Sequence, residues 1–163
     1  MRPLAQAVMI TPIGKVAVIN SVDKVKKIDV HAESIPYQIA QPNSLTKLIC
    51  QQLEAYFNGK LTKFDLPVQL DGTDFQFKVW SQLNHIPYGE ALTYGELANQ
   101  VSTSARAIGG ACRHNPIPIV IPCHRVIAAN GIGGYSGQWR LGVKVDVKRW
   151  LLQHEKKNKQ INE

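Results

Sequence analysis

Ile121-Pro122-Cys123-His124-Arg125-Val126 is a Cys-His pair behind a long apolar run, and the rest of the chain is read outward from it. The preceding Asn115-Pro116-Ile117-Pro118-Ile119-Val120 predicts a prolyl hinge feeding a short buried strand, with Cys123 where that strand ends. A cysteine held there is rigid and partly desolvated. Only its thiolate is nucleophilic, and an unperturbed thiol of pKa about 8.5 is mostly protonated at neutral pH, so a base must lie within reach. His124 is the nearest. Neighbours on an extended strand point to opposite faces, which disfavours a direct Cys-His hydrogen bond and favours a bridging water. A third group should orient the imidazole, and Glu155, at the end of the helical segment Trp150-Leu151-Leu152-Gln153-His154-Glu155, is the best-placed acid.

The flanking residues carry a family pattern. Arg-Ala-Ile-Gly-Gly-Ala-Cys-Arg-His-Asn-Pro (106–116) precedes the pair, and Gly-Tyr-Ser-Gly (134–137) and Trp-Leu-Leu-Gln-His-Glu (150–155) follow it. From about Thr73 to Glu155 the chain resembles the O6-alkylguanine-DNA alkyltransferases, the methylated-DNA–protein-cysteine methyltransferase family. The resemblance implies an α+β protein of two small domains. Residues 1–71 would form an α/β domain with a short antiparallel, ribonuclease H-like sheet. Residues 72–157 would form a helical, winged helix-turn-helix domain for DNA binding and alkyl transfer, with 158–163 a polar tail.

The same resemblance implies DNA repair by direct reversal: irreversible, single-turnover transfer of an alkyl group from O6 of guanine, or O4 of thymine, to the protein's own cysteine. The target nucleotide would be flipped out from the minor groove. It assigns Cys123 as acceptor, His124 as base through water, Glu155 as holder of the imidazole, and Asn115 as support for the hinge. Tyr94 would push on the target phosphate or protonate the departing guanine. Tyr135 and Ser136 would line the base, with Cys112 beneath it; Pro118 and the Val126 carbonyl would complete the pocket. Arg106 would fill the gap left by the flipped base, Arg113 would contact the DNA backbone, and Thr93, Ala105, Ala107 and Gly109 would lie at the DNA. The implied partner is duplex DNA containing O6-alkylguanine, bound by a cytoplasmic monomer away from membranes, with no metal and no cofactor.

Composition agrees with such a protein. The 163 residues suffice for one sizeable domain or two small ones. No apolar run approaches the roughly 20 residues of a membrane span. The first ten residues read as a strand rather than a signal peptide, because Pro3 and Gln6 break the apolar run. Three cysteines, Cys50, Cys112 and Cys123, form no disulfide framework and point to a reducing compartment. The net charge of +7 divides unevenly, +2 over residues 1–80 and +5 over 81–163. The second half is therefore the candidate for a polyanion.

Along the chain, strands are predicted at Ala7 to Thr11, Lys15 to Asn20 and Val25 to Ala32, forming an antiparallel meander around the Thr11-Pro12-Ile13-Gly14 turn. Asn43-Ser44 caps a helix with apolar Leu45, Leu48, Ile49, Leu53, Tyr56 and Phe57, ended by Asn58-Gly59. Leu66 to Leu70 suggests one more strand. Thr73 caps the next helix, whose apolar face is Phe75, Val79, Trp80 and Leu83. Thr93 to Gln100 and Ser104 to Arg113 then read as two short helices joined by a tight polar turn. The second is built from Ala105, Ala107, Gly109, Gly110 and Ala111, and each interior glycine costs about 1 kcal/mol relative to alanine. Close approach explains that cost, either to a DNA minor groove with Arg106 inserted or to the protein's own core. Gly131 to Gly137 reads as a substrate-covering loop, and Gln138 to Asp146, with Trp139 and Arg140, is longer than the family pattern.

Three other chemistries use the same residues. Cys112, His114, Cys123 and His124 are zinc-ligand types, but an adjacent Cys-His pair does not readily face one ion from a strand. That site belongs to the alternative of a helix-turn-helix regulator with structural zinc. A regulator with an inert core cysteine leaves Asn115, His124 and Glu155 unexplained, and a Cys-His hydrolase needs no basic half.

Overall fold

The computed structural model describes residues 2–133 and 143–162. They divide into two units: Met1–Leu70 with Pro116–Val120, and Asp71–Asn115 with Ile121–Glu163.

In the first unit, β1 (Leu4–Ala5) leads into β2 (Ala7–Thr11), β3 (Gly14–Asn20) and β4 (Val25–Asp29). The last three form an antiparallel meander in the register Ala7↔Val18 and Ala17↔Asp29. Gly14 makes the first turn at φ +103°, a conformation L side chains rarely adopt. Val16, Ala17 and Val18 are all fully buried, so the central strand is covered on both faces. Ala17 packs with Ala5 and Ala32, while α1 (Ser44–Phe57) packs on β2 and β3. An Asn43/Thr46 capping box starts that helix, and Thr46 Oγ1 donates to the buried Asn20 Oδ1 at 2.9 Å, tying the cap to the end of β3.

Several local expectations change here. β4 stops at Asp29 and a 3-10 turn follows at Ala32–Ser34. A two-residue parallel pair, β1 with β5 (Gln38–Ile39), was not foreseen. Leu66 to Leu70 contributes a single bridge, Val25↔Val68, rather than a strand. Leu48 is 40% exposed at the margin of the α1 stripe.

In the second unit, α2 (Asp74–Leu83) starts from a Thr73/Gln76 capping box and buries Val79, Trp80 and Leu83. Phe75, expected on that face, is 36% exposed. Trp80 Nε1 donates to the Ala111 carbonyl at 2.9 Å and joins α2 to α4 (Ala105–Arg113). Between them run β6 (Leu92–Thr93) and α3 (Tyr94–Gln100), with Thr93 and Ser104 acting as N-caps. Ser102 turns the corner between α3 and α4 at φ +57°. β7 (Val126–Ile127) pairs parallel with β6, and α5 runs over Val143–Asn162. Residues 158–162, expected as a polar tail, continue that helix.

Candidate functional site

The run before Cys123 is not a strand. Pro116–Val120 belongs to the first unit, where Ile28 donates its backbone N–H to the Pro116 carbonyl at 3.0 Å. Ile119 is buried there at φ +75°, an outlying conformation for a β-branched side chain. The chain re-enters the second unit at Ile121, and Cys123–Arg125 forms one 3-10 turn before β7 begins. Two prolines and a run of isoleucines read as extended chain, but among the described residues no strand is formed there. In a 3-10 turn the argument that Cys123 and His124 face opposite ways no longer applies.

Asn115 closes the excursion. Its Nδ2 donates to the Ile121 carbonyl at 2.8 Å, the same carbonyl that accepts from the Cys123 backbone N–H. Asn115 N–H in turn donates to the Cys112 carbonyl at 3.2 Å. One asparagine thus fixes the C-terminus of α4 to the turn that carries the cysteine.

Cys123, His124 and Arg125 are all buried, and α5 brings Glu155 to them. The Glu155 carboxylate faces His124 Nε2 at 2.6 Å, Arg125 Nε at 2.8 Å and Nη2 at 3.1 Å, and the Gly89 backbone N–H at 3.2 Å. Arg125 Nη1 also donates to the Ile86 carbonyl at 2.7 Å. Burial alone would raise the carboxyl pKa of Glu155, but pairing with His124 and Arg125 outweighs it and holds the group ionised far below the usual carboxylate range. His124 is pushed the other way. Its burial disfavours the imidazolium, and the Arg125 and Lys148 cations add to that, so against the pull of Glu155 the ring stays neutral. With Nε2–H donating to Glu155, Nδ1 carries the lone pair, and this buried nitrogen has no hydrogen-bond partner among the described residues.

Tyr94, at the start of α3, and Cys112, on α4, feel the charge of Cys123. Burial raises both of their pKa values first, and that charge raises them further. Gly133, at φ +79°, lies against the Tyr94 ring, where a Cβ would come within 2.9 Å of Cε2. Val126 is buried at the head of β7. The structure therefore gathers Cys123, His124, Glu155, Asn115, Tyr94, Cys112 and Val126 within the second unit.

The other candidates lie elsewhere. Pro118 is buried in the first unit. Tyr135 and Ser136, with Trp139 and Arg140, fall outside the described residues. Ala105, Arg106 and Arg113 are exposed along α4, and Ala107 is partly so. Gly109 turns inward with Ile108, whereas a Cβ on Gly110 would meet nothing within 4 Å. Thr93 spends its hydroxyl capping α3, accepting from Glu96 N–H at 3.1 Å. The rival zinc set does not assemble: His114 Nδ1 sits 2.8 Å from the Gly110 carbonyl and His124 Nε2 is taken by Glu155. Among the described residues no group of three or more metal-ligand side chains comes together.

Two buried cations were missed by sequence reasoning. Arg125 was read only as part of a motif, and Lys148 was not singled out. Lys148 is fully buried on the stripe of α5 that carries Leu151 and Glu155, three and seven residues on, and that register was the available signal.

Comparison with known proteins bears on this arrangement. Family models described as the DNA-binding domain and the ribonuclease-like domain of 6-O-methylguanine DNA methyltransferase match residues 74–157 and 4–70. A methylated-DNA–protein-cysteine methyltransferase of Mycobacterium tuberculosis is 52% identical over 108 residues, a match spanning 64% of this chain and 62% of the relative. One from Methanosarcina barkeri is 39% identical over 155 residues, 91% of this chain and 94% of the relative. Among solved structures, the M. tuberculosis O6-methylguanine methyltransferase superposes with a TM-score of 0.81 at 37% identity, over 93% of this chain and 92% of that one. The same protein solved in complex with DNA superposes with a TM-score of 0.75, with the same identity and coverage.

Proposed function

We propose, because this chain belongs to the 6-O-methylguanine DNA methyltransferase family, that it repairs DNA by moving an alkyl group from O6 of guanine onto Cys123. The observation that carries the reading is the neutral His124, next in sequence to Cys123, locked on Glu155 with its second ring nitrogen buried and without a hydrogen-bond partner among the described residues. That imidazole is set to take the Cys123 proton through one bridging water, and Glu155 stabilises the imidazolium that results. The thiolate then attacks the alkyl carbon in line, the carbon–oxygen bond breaks, and the electron pair leaves with the guanine. A thioether is a poor leaving group, so the thiol does not return and each molecule reacts once.

A base inside a duplex is out of reach of a buried cysteine, so the target must be rotated out at a cost of a few kcal/mol. Arg106, exposed on α4, would fill the vacated stack. The small outer face of α4 suits approach to the minor groove, and Gly110 supports this because its missing side chain relieves no contact within the protein. Arg113 would contact the DNA backbone, and O4 of thymine would be a second substrate. Tyr135 and Ser136 would read the base.

Intact mass tests the proposal. After incubation with duplex DNA containing O6-methylguanine, the protein should gain one methyl group in place of a hydrogen, on the peptide containing Cys123. The Cys123→Ser variant should gain nothing yet still bind DNA. Methylation persisting in that variant would move the acceptor to Cys112 and overturn the mechanism.

A further inference from the structure

Two Asn-Gly dipeptides occur in the chain, Asn58-Gly59 and Asn130-Gly131. Glycine has no Cβ to shield its backbone nitrogen, so that nitrogen can approach the side-chain carbonyl carbon of the asparagine before it. The fold restrains the two pairs differently. Asn58 caps the end of α1, where the backbone N–H groups of Asn58, Gly59 and Lys60 donate to the Glu54, Tyr56 and Ala55 carbonyls at 3.0, 3.0 and 2.8 Å. Asn130 lies in a two-residue turn just after β7, closed by the bridge Ala128↔Gly131. There the Gly131 N–H reaches the Ala128 carbonyl only at 3.4 Å, longer than the roughly 2.7–3.2 Å of a normal N–H···O bond. Both residues are exposed, and nothing lies within 4 Å of where a Gly131 Cβ would be.

We propose that Asn130 is a site of self-modification, at which the chain converts its own side-chain amide to a carboxylate with water as the only co-reactant. The Gly131 nitrogen bonds to Asn130 Cγ as the Cγ–Nδ2 bond breaks, and the departing amide nitrogen takes the Gly131 proton with it as ammonia. Water then opens the cyclic imide. Opening at Cγ restores the chain as aspartate, whereas opening at the main-chain carbonyl leaves isoaspartate, whose backbone runs through Cβ and Cγ. Isoaspartate therefore adds a negative charge and one extra main-chain atom to the turn. Little room exists to absorb that atom. Gly133 lies so close to its neighbours that a Cβ there would come within 2.9 Å of Tyr94 Cε2 and 3.2 Å of the Ala128 nitrogen. On the other side of the turn Ile127 is held in register with Thr93, the residue before Tyr94. A lengthened turn displaces Gly133 from Tyr94, which borders the acceptor cysteine. On the alkyl-transfer reading above, on which this consequence rests, methyl transfer slows as isoaspartate accumulates.

The test ages the full-length protein at mildly alkaline pH and follows its tryptic peptides by mass and by isoaspartate content. In the folded protein the Asn130 peptide should gain the acid at least tenfold faster than the Asn58 peptide, because a surface turn opens far more often than a helix cap. In urea the two should convert within about twofold of each other, which assigns the difference to the fold. Methyl transfer from O6-methylguanine DNA should fall in proportion to the isoaspartate formed. Aged Asn130→Gln should keep its starting rate, since the longer side chain closes a six-membered imide much more slowly. Asn130→Asp, with the charge but not the added backbone atom, should stay close to the fresh wild type. A folded protein in which Asn58 converts as fast as Asn130 would overturn the site. Activity lost equally by aged wild type and aged Asn130→Gln, or an Asn130→Asp as slow as aged wild type, would overturn the consequence drawn from the lengthened turn. A fresh wild type that accepts no methyl group overturns the repair reading, while the peptide masses still decide whether Asn130 converts.

Discussion

Glu155 concentrates the electrostatics of the site in one side chain. It is 1% exposed, and its hydrogen bonds include three with His124 and Arg125 and one from the Gly89 N–H. Removing its charge leaves the Arg125 guanidinium buried without its counterion, and breaking a buried pair from one side typically costs about 3–5 kcal/mol. Glu155→Gln should therefore lose stability on that scale in urea denaturation, and its methyl transfer should fall because the imidazolium is no longer stabilised. A loss below about 1 kcal/mol would mean that Arg125 finds compensation elsewhere.

At the scale of elements, α4 gives up stability for an outer face without side chains. Gly110 is in the helix interior and a methyl there meets nothing, so Gly110→Ala should stabilise the protein by up to about 1 kcal/mol. If that face approaches DNA closely, the same change should weaken duplex binding. A variant that is both more stable and binds DNA as before would remove α4 from the interface. Arg106→Ala separates wedge from support: repair of duplex DNA should fall strongly, while reaction with the free O6-alkylguanine base should barely change. Equal losses on both substrates would place Arg106 in the pocket or the fold instead. The helices were legible in the sequence because Asn43, Thr73, Thr93 and Ser104 are capping residues ahead of apolar stripes. The Cys-His-Arg turn was not, since its apolar approach is buried in another unit rather than in a sheet of its own. Nor were the duties of Arg125 and Lys148, whose partners Glu155 and Tyr94 stand 30 and 54 positions away.

For the whole molecule, His124, Glu155 and Lys148 tilt stability towards alkaline pH, whereas the Cys112 thiol, raised by burial, opposes them above the ordinary thiol value of about 8.5. His124 and Glu155 titrate lower in the fold than in the open chain, so their contributions hold above about pH 6.5 and about pH 4.3 and are lost as pH falls below those values. Lys148 is lowered to about 8, so folding becomes more favourable as pH climbs from there towards the unfolded lysine value of about 10.4. Thermal melts at constant ionic strength should show Tm rising from pH 5 to 7, and between pH 8 and 9.5 the wild type should gain Tm relative to Lys148→Met, in which the opposing thiols are unchanged. A wild type that gains nothing on Lys148→Met across that window would contradict the burial of a charged lysine.

The crossing of Pro116–Val120 into the first unit has a consequence for how the chain is made. A ribosome releases residues in order, and domains ordinarily fold as they emerge. Here the β-meander is finished long before the segment that completes its unit has been synthesised, with residues 71–115 coming in between. The N-terminal unit stays without its last segment until residues 116–120 emerge, and the buried Ile117 and Ile119 are the last core residues it receives. The reactive cysteine, four residues further on than Ile119, is the next thing to be born. The acceptor residue is in this way synthesised directly after the segment that completes the first unit, whereas Glu155, which holds its base, follows later on α5.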